Sequence, residues 1–291
     1  MARKSFRVGF VYAGAAALMI VAVPVAALAG PPQGVTQNIP SNSAVVFAED
    51  FDHGDGQTPV NLTHYLGVDG AHYQADGAWL PSFGACNGWV ANASSAQPVG
   101  DLGCLDWGGL DAGGTQQSAW WFVQRMATAL GVAQGQPAVQ TFANNAVSAI
   151  TSGRAQPGDY QFQTSYNYAT GVDVATAESG HHYFVSVYLA AVHCHGDPGD
   201  VGWTDPSENV YLMVDGTPVK AASGLDPCVA DPTGTVVADG EHSVLVHVAQ
   251  FTSAPVLVSS TASLGMALSG STRSSVGNDL AFDLPQIIDV A

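Results

Sequence analysis

The residues best suited to chemistry are carboxylates, and they gather near the two ends of the chain. Phe47-Ala48-Glu49-Asp50-Phe51-Asp52 runs into the turn His53-Gly54-Asp55-Gly56, and Gly277-Asn278-Asp279-Leu280-Ala281-Phe282-Asp283 stands near the other end. Calcium needs hard oxygen ligands, typically about six to eight of them. An acidic first strand lying beside a final strand of the type N-D-x-x-x-D supplies them in many extracellular jelly rolls. We therefore expect a structural Ca²⁺ held by Glu49, Asp50, Asp52, Asp279 and Asp283. The competing expectation is solvated turn acids with an Asx-turn at Asn278-Asp279. The acidic turn is not an EF-hand, because Asn61 falls where the bidentate Glu is required.

Further chemistry is sparse. His193-Cys194-His195 would place both imidazoles on one face of a continuing strand, as a metal pair requires; a third ligand is not evident, although Asp197, Asp200 and Asp205 lie in the following loop, and polar loop-edge histidines are the simpler account. The sequence has no G-x-S-x-G, H-E-x-x-H, Walker loop or dinucleotide turn. A glycosidase carboxylate pair is a matter of spacing in three dimensions, so a secreted glycan-active hydrolase stays as the third functional reading. Binding chemistry is better represented, since an exposed flat ring stacks on a sugar at little entropic cost. Trp203, in an acidic and Gly-rich stretch, is the best candidate, followed by Trp79 and Tyr73; Trp89 and Trp107 adjoin cysteines and read as core.

Residues 1–29 read as a signal peptide, with Arg3, Lys4 and Arg7 ahead of an apolar stretch and Ala27-Leu28-Ala29 as the cleavage pattern. The expected mature chain keeps four basic residues against 24 acidic ones, a formal charge of −20. That surface repels nucleic acid, which is bound through Lys and Arg, and no later apolar run is long enough for a membrane span. Four cysteines in an exported chain favour disulfides, and the local pairs Cys86–Cys104 and Cys194–Cys228 are preferred.

The elements that must position these groups are mostly strands. Residues 30–43 are Pro, Gly and polar rich and read as a flexible leader, with residues 44–291 as one domain. About eight to ten short strands follow, among them Ala44–Phe47, Ala146–Ile150, His182–Val192, Val210–Val214, Ser243–Val248 and Leu280–Val290, with Asp215-Gly216 as a hairpin turn. One helix is expected over about 116–131, where Trp120, Met126, Ala127 and Leu130 recur at helical spacing and Gly131 is a natural stop. The fold class is all-β, a jelly-roll or lectin-like β-sandwich with one packed α-helix.

The order of these motifs resembles the non-repetitive N-terminal β-sandwich domain of large Gram-positive, actinobacterial-type surface and adhesin proteins, in which Ig-like repeats follow. Ala78-Trp79-Leu80, Cys86-Asn87-Gly88, Asn145–Ala149, Cys194, Cys228 and Gly277–Asp283 carry the resemblance across most of the chain. It implies adhesion or display at the cell surface, with a glycan or a matrix or surface protein as partner and no catalytic residues. Stalk repeats and an L-P-x-T-G signal are not seen before Ala291, so either a freestanding secreted relative or a piece of a longer protein is expected. A structural envelope protein without a specific ligand is the alternative.

Overall fold

The structure is a computed structural model and describes residues 38–53, 56–75, 85–98, 107–110, 116–151, 168–170, 174–198, 204–239, 242–270 and 279–291. Signal peptide, most of the leader, Trp79, Cys104 and Trp203 lie outside the described residues.

The strands are β1 (Ala44–Ala48), β2 (Val60–Asn61), β3 (Tyr73–Ala75), β4 (Ala85–Ala91), β5 (Trp107–Leu110) and β6 (Gln116–Ser118). After helix α1 (Ala119–Ala133) and the single turn α2 (Ala138–Thr141) come β7 (Ala146–Thr151), β8 (Tyr168–Thr170), β9 (Ala175–Ala177), β10 (His181–Val192), β11 (Glu208–Val214) and β12 (Thr217–Leu225). The turn α3 (Pro227–Ala230) precedes β13 (Thr235–Asp239), β14 (His242–Thr252), β15 (Val256–Val258), β16 (Ala262–Gly270) and β17 (Asp279–Val290). Short 3-10 turns cover Leu62–His64 and Val68–Gly70.

A large sheet runs β13-β14-β10-β17-β7-β4-β2, with β1 on β17 and β15 on β10; a second sheet runs β12-β11-β16-β9. The chain crosses repeatedly between them, so this is a β-sandwich of jelly-roll type. All their pairings are antiparallel.

Period-two alternation sorts the side chains into two cores. Val185, Val187 and Leu189 of β10 meet Val210, Leu212, Leu264, Met266 and Leu268 of the small sheet. The alternate residues Ala190 and Val192 face the other way, onto Trp120, Phe122, Met126 and Leu130 of α1. The molecule thus has three layers: helix, large sheet, small sheet. On β17, Leu280 and Phe282 point between the sheets while Ala281 points to the helix. A bulge near Leu284 (φ 46°) shifts the register, after which Ile287 occupies the inner face. One extra residue inverts the face parity.

The helix lies close to its expected place, but both ends differ for identifiable reasons. Ser118 caps it, its hydroxyl accepting from Trp121 N–H, so 116–118 remain extended. Gly131 does not stop it. A Cβ there would sit 2.9 Å from Asn144 Cβ, so glycine admits the following segment against the helix. The end comes at Gly135 (φ +76°), whose left-handed backbone suits a helix terminus. The hairpin at Asp215-Gly216 forms as expected, with φ positive at both residues (48° and 71°).

Candidate functional site

Glu49 directly follows β1, and its N–H is anchored to the Pro285 carbonyl. Its carboxylate is buried and accepts four hydrogen bonds: from Phe51 N–H (2.8 Å), Val68 N–H (2.8 Å), Tyr73 Oη (2.5 Å) and Tyr65 Oη (3.3 Å). Burial, before the Glu49 charge, pushes both phenols well above their ordinary range. Their rings pack around Phe51, which also meets Phe282 edge-on. Gly67 passes so close that a Cβ would overlap the Glu49 carboxylate and the Tyr73 ring. Tyr73 was expected as an exposed stacking ring; it is 5% exposed and serves this clamp instead.

The five expected calcium ligands occupy distinct polar settings. Glu49 is committed to the clamp, and Asp50 faces solvent, accepting from Asp52 N–H. Asp52 Oδ1 accepts from Asn145 N–H (2.9 Å) and Asn145 Nδ2 (3.0 Å), binding the post-β1 turn to the start of β7. Asp283 Oδ2 accepts from Gln134 Nε2 (2.6 Å) and Asn144 Nδ2 (2.9 Å). Burial raises the pKa of both carboxyls, Asp283 furthest, and the charge of Asp52 adds to the rise at Asp283. Asp279 instead meets His193 Nδ1 at 2.6 Å, with both side chains buried. Asp52 and Asp283 are thus bonded to the adjacent Asn145 and Asn144, while Asp279 pairs with His193.

His193 corrects an expectation. It has φ 60° and is 2% exposed, packed edge-on to Phe122, whereas His195 is exposed. The positive φ ends the strand, so the two rings do not project together. Sequence reasoning missed His247. Its Nδ1 lies 2.6 Å from the Asp231 carbonyl oxygen and its Nε2 3.1 Å from Asp197 Oδ2. Both partners are acceptors, so the ring must carry hydrogen on both nitrogens or share a proton with Asp197. The disulfide Cys194–Cys228 adjoins this group and forms as expected, with Asp197 also accepting from Cys194 N–H. Cys86 is also disulfide-bonded.

Two surfaces are shaped for contact. The first is a cleft of about 370 Å³ beside β1, lined by Val45–Ala48, Val68–Ala71 and Val174. The Glu49–Val68 bond holds its two walls together. The second is the outer face of the small sheet. Inward residues Val210 and Leu212 alternate there with Asn209, Tyr211 and Met213. Tyr211 pairs across strands with Ala267 and Lys220, and the Lys220 ammonium lies 5.6 Å from its ring centre. Met213 faces Gly265, so small residues flank a half-buried ring.

No protein-family model matches the chain, and no curated protein is significantly similar to it. Among solved structures it is similar to the CBM22-1 xylan-binding domain of Paenibacillus barcinonensis Xyn10C (10% identity, 85% of this chain and 96% of that one, TM-score 0.31). It is also similar to the CBM22-1–GH10 modules of Clostridium thermocellum xylanase 10B complexed with xylohexaose (14% identity, 51% of this chain, TM-score 0.28); this match spans 22% of that chain's length. A third similarity is to TmCBM27, a mannan-recognising carbohydrate-binding module (9% identity, 51% of this chain and 76% of that one, TM-score 0.27).

Proposed function

We propose that the chain is an exported, non-catalytic binding module of the cell surface, of the kind that heads large Gram-positive surface proteins, and that its ligand is a glycan. The observation that carries this is the outer face of the small sheet. Of the four faces in the sandwich, two form the inner core and α1 packs on the third. The fourth carries the half-buried Tyr211, with the exposed Lys220 ammonium 5.6 Å from its ring centre. A half-buried tyrosine ring can stack on a pyranose, and the Lys220 ammonium beside it can donate to the sugar hydroxyls. Export is supported by the signal-like N-terminus and by a disulfide, which persists in oxidising compartments. The buried acids Glu49, Asp279 and Asp283 are occupied in holding segments together, which supports a binding rather than a hydrolytic role.

Calcium enters this reading at Asp52 and Asp283, where a cation would relieve the burial that disfavours both charges. Asn144, Asn145 and Gln134 border them with amides whose oxygens suit the ion once turned.

Affinity electrophoresis against soluble neutral and acidic polysaccharides tests the proposal. Retardation by at least one polysaccharide, abolished in Tyr211→Ala with the melting curve unchanged, is expected. Retardation untouched by Tyr211→Ala would remove the small sheet as the site. Binding to none of the panel would favour the structural envelope protein.

A further inference from the structure

We propose that the cleft beside β1 takes an extended polypeptide segment as an added strand, with a basic residue that meets Asp69. β1 pairs with β17 along one side, and among the described residues no strand or loop bonds the backbone of Val45–Ala48 along the other. A free strand edge offers alternating N–H and C=O groups to any incoming chain, and proteins usually blunt such an edge with Lys, Pro or a covering element. β1 has the sequence Ala-Val-Val-Phe-Ala, and its Val45 is 56% exposed. Its one irregularity is the register shift between Val45 and Phe47.

The cleft's chemistry fits a peptide better than a sugar. Its walls are Val45, Val46, Val68, Ala71 and Val174, with no amide side chain, and its one ring, Phe47, is buried and cannot stack. Aliphatic walls beside a strand edge accept the alternate side chains of an added strand. Four residues of β1 extend for about 13 Å at the usual strand rise, enough to pair with a short segment. The second wall is fixed rather than mobile, because Glu49 holds Val68 N–H at 2.8 Å. Asp69, the one charged side chain of the lining, is set on a turn with φ 52°. In a chain of net charge −17 it favours a basic partner.

The test uses the mature chain and a fluorescent heptapeptide, Lys-Val-Thr-Val-Thr-Val-Thr, with an analogue N-methylated at alternate residues. The parent peptide should bind and slow amide exchange within Val45–Ala48 about tenfold or more at saturation. The N-methylated analogue, with the same side chains and no pairing N–H, should lose both effects. Asp69→Asn should weaken binding of the lysine peptide about two- to fivefold, the scale of an exposed ion pair, and leave an acetyl-lysine version unchanged. Equal binding by the N-methylated peptide, or binding without protection of β1, would overturn the proposal. Protection of β1 in concentrated protein alone, with dimer seen in sedimentation, would assign the edge to a second copy instead. Protection by xylohexaose would assign it to sugar.

Discussion

Tyr73 donates its phenolic hydrogen to Glu49 across 24 residues of sequence, and Gly67 lies in the gap between them where no side chain fits. The carboxylate accepts at both oxygens, so even an isosteric amide is wrong. In Glu49→Gln one backbone N–H, of Phe51 or Val68, would face an amide N–H. We expect a loss of about 1–3 kcal/mol by urea unfolding, the cost of a buried donor left unpaired. Gly67→Ala should be at least as damaging.

Gly131 separates helix propensity from packing. Alanine is the better helix former by about 1 kcal/mol. Its Cβ would nevertheless press on Asn144, and forced overpacking costs about 1–3 kcal/mol. Gly131→Ala should therefore lower the midpoint of a thermal melt; a raised midpoint would show that Asn144 yields.

Glu208 is fully buried at the start of β11, its Oε2 has no hydrogen-bond partner among the described residues, and burial lifts its pKa to about 8. The folded state keeps a proton that the unfolded chain releases above its ordinary value near 4.5. Stability should fall as pH rises from about 4.5 to 8 and level off above. Glu208→Gln should remove this part of the slope and be the more stable protein at pH about 8.5, as read from paired urea titrations at both ends of the window.

His247 and the disulfide act on the same turn through Asp197. Removing His247 takes a hydrogen-bond partner from the part-buried Asp197 and from the Asp231 carbonyl, a loss of about 1–3 kcal/mol. Replacing Cys194 and Cys228 by Ser should cost about 3–4 kcal/mol for a loop of this span. Combined, the losses should fall short of their sum, because each loosens what the other holds. Full additivity in a double-mutant cycle would show that the two are independent.

The Asp52–Asp283 neighbourhood makes calcium testable by melting. A ligand bound only to the folded state, at about a hundredfold excess over its Kd, adds about 2.7 kcal/mol. We expect several degrees of difference between Ca²⁺ and EGTA, abolished in Asp283→Asn. No difference would leave the amide network as the only partner of these acids.

The strands and the sandwich were legible in the chain, because near-continuous apolar, β-branched and aromatic runs such as His181–Val192 must be covered on both faces. The glycine and aspartate of the 215–216 turn, and the spacing of Cys194 and Cys228, were legible for the same reason: the physics involved is local. Only tertiary structure decided what the polar groups do. Glu49, Asp279 and Asp283 look alike in sequence, as acids in short motifs, yet one clamps a loop, one pairs with a histidine and one sits among amides. Desolvation and partner distance assign those roles, and both depend on residues up to 149 positions away. Gly131 teaches the same lesson, since the helix-stop pattern was overruled by the approach of Asn144, which no local rule contains.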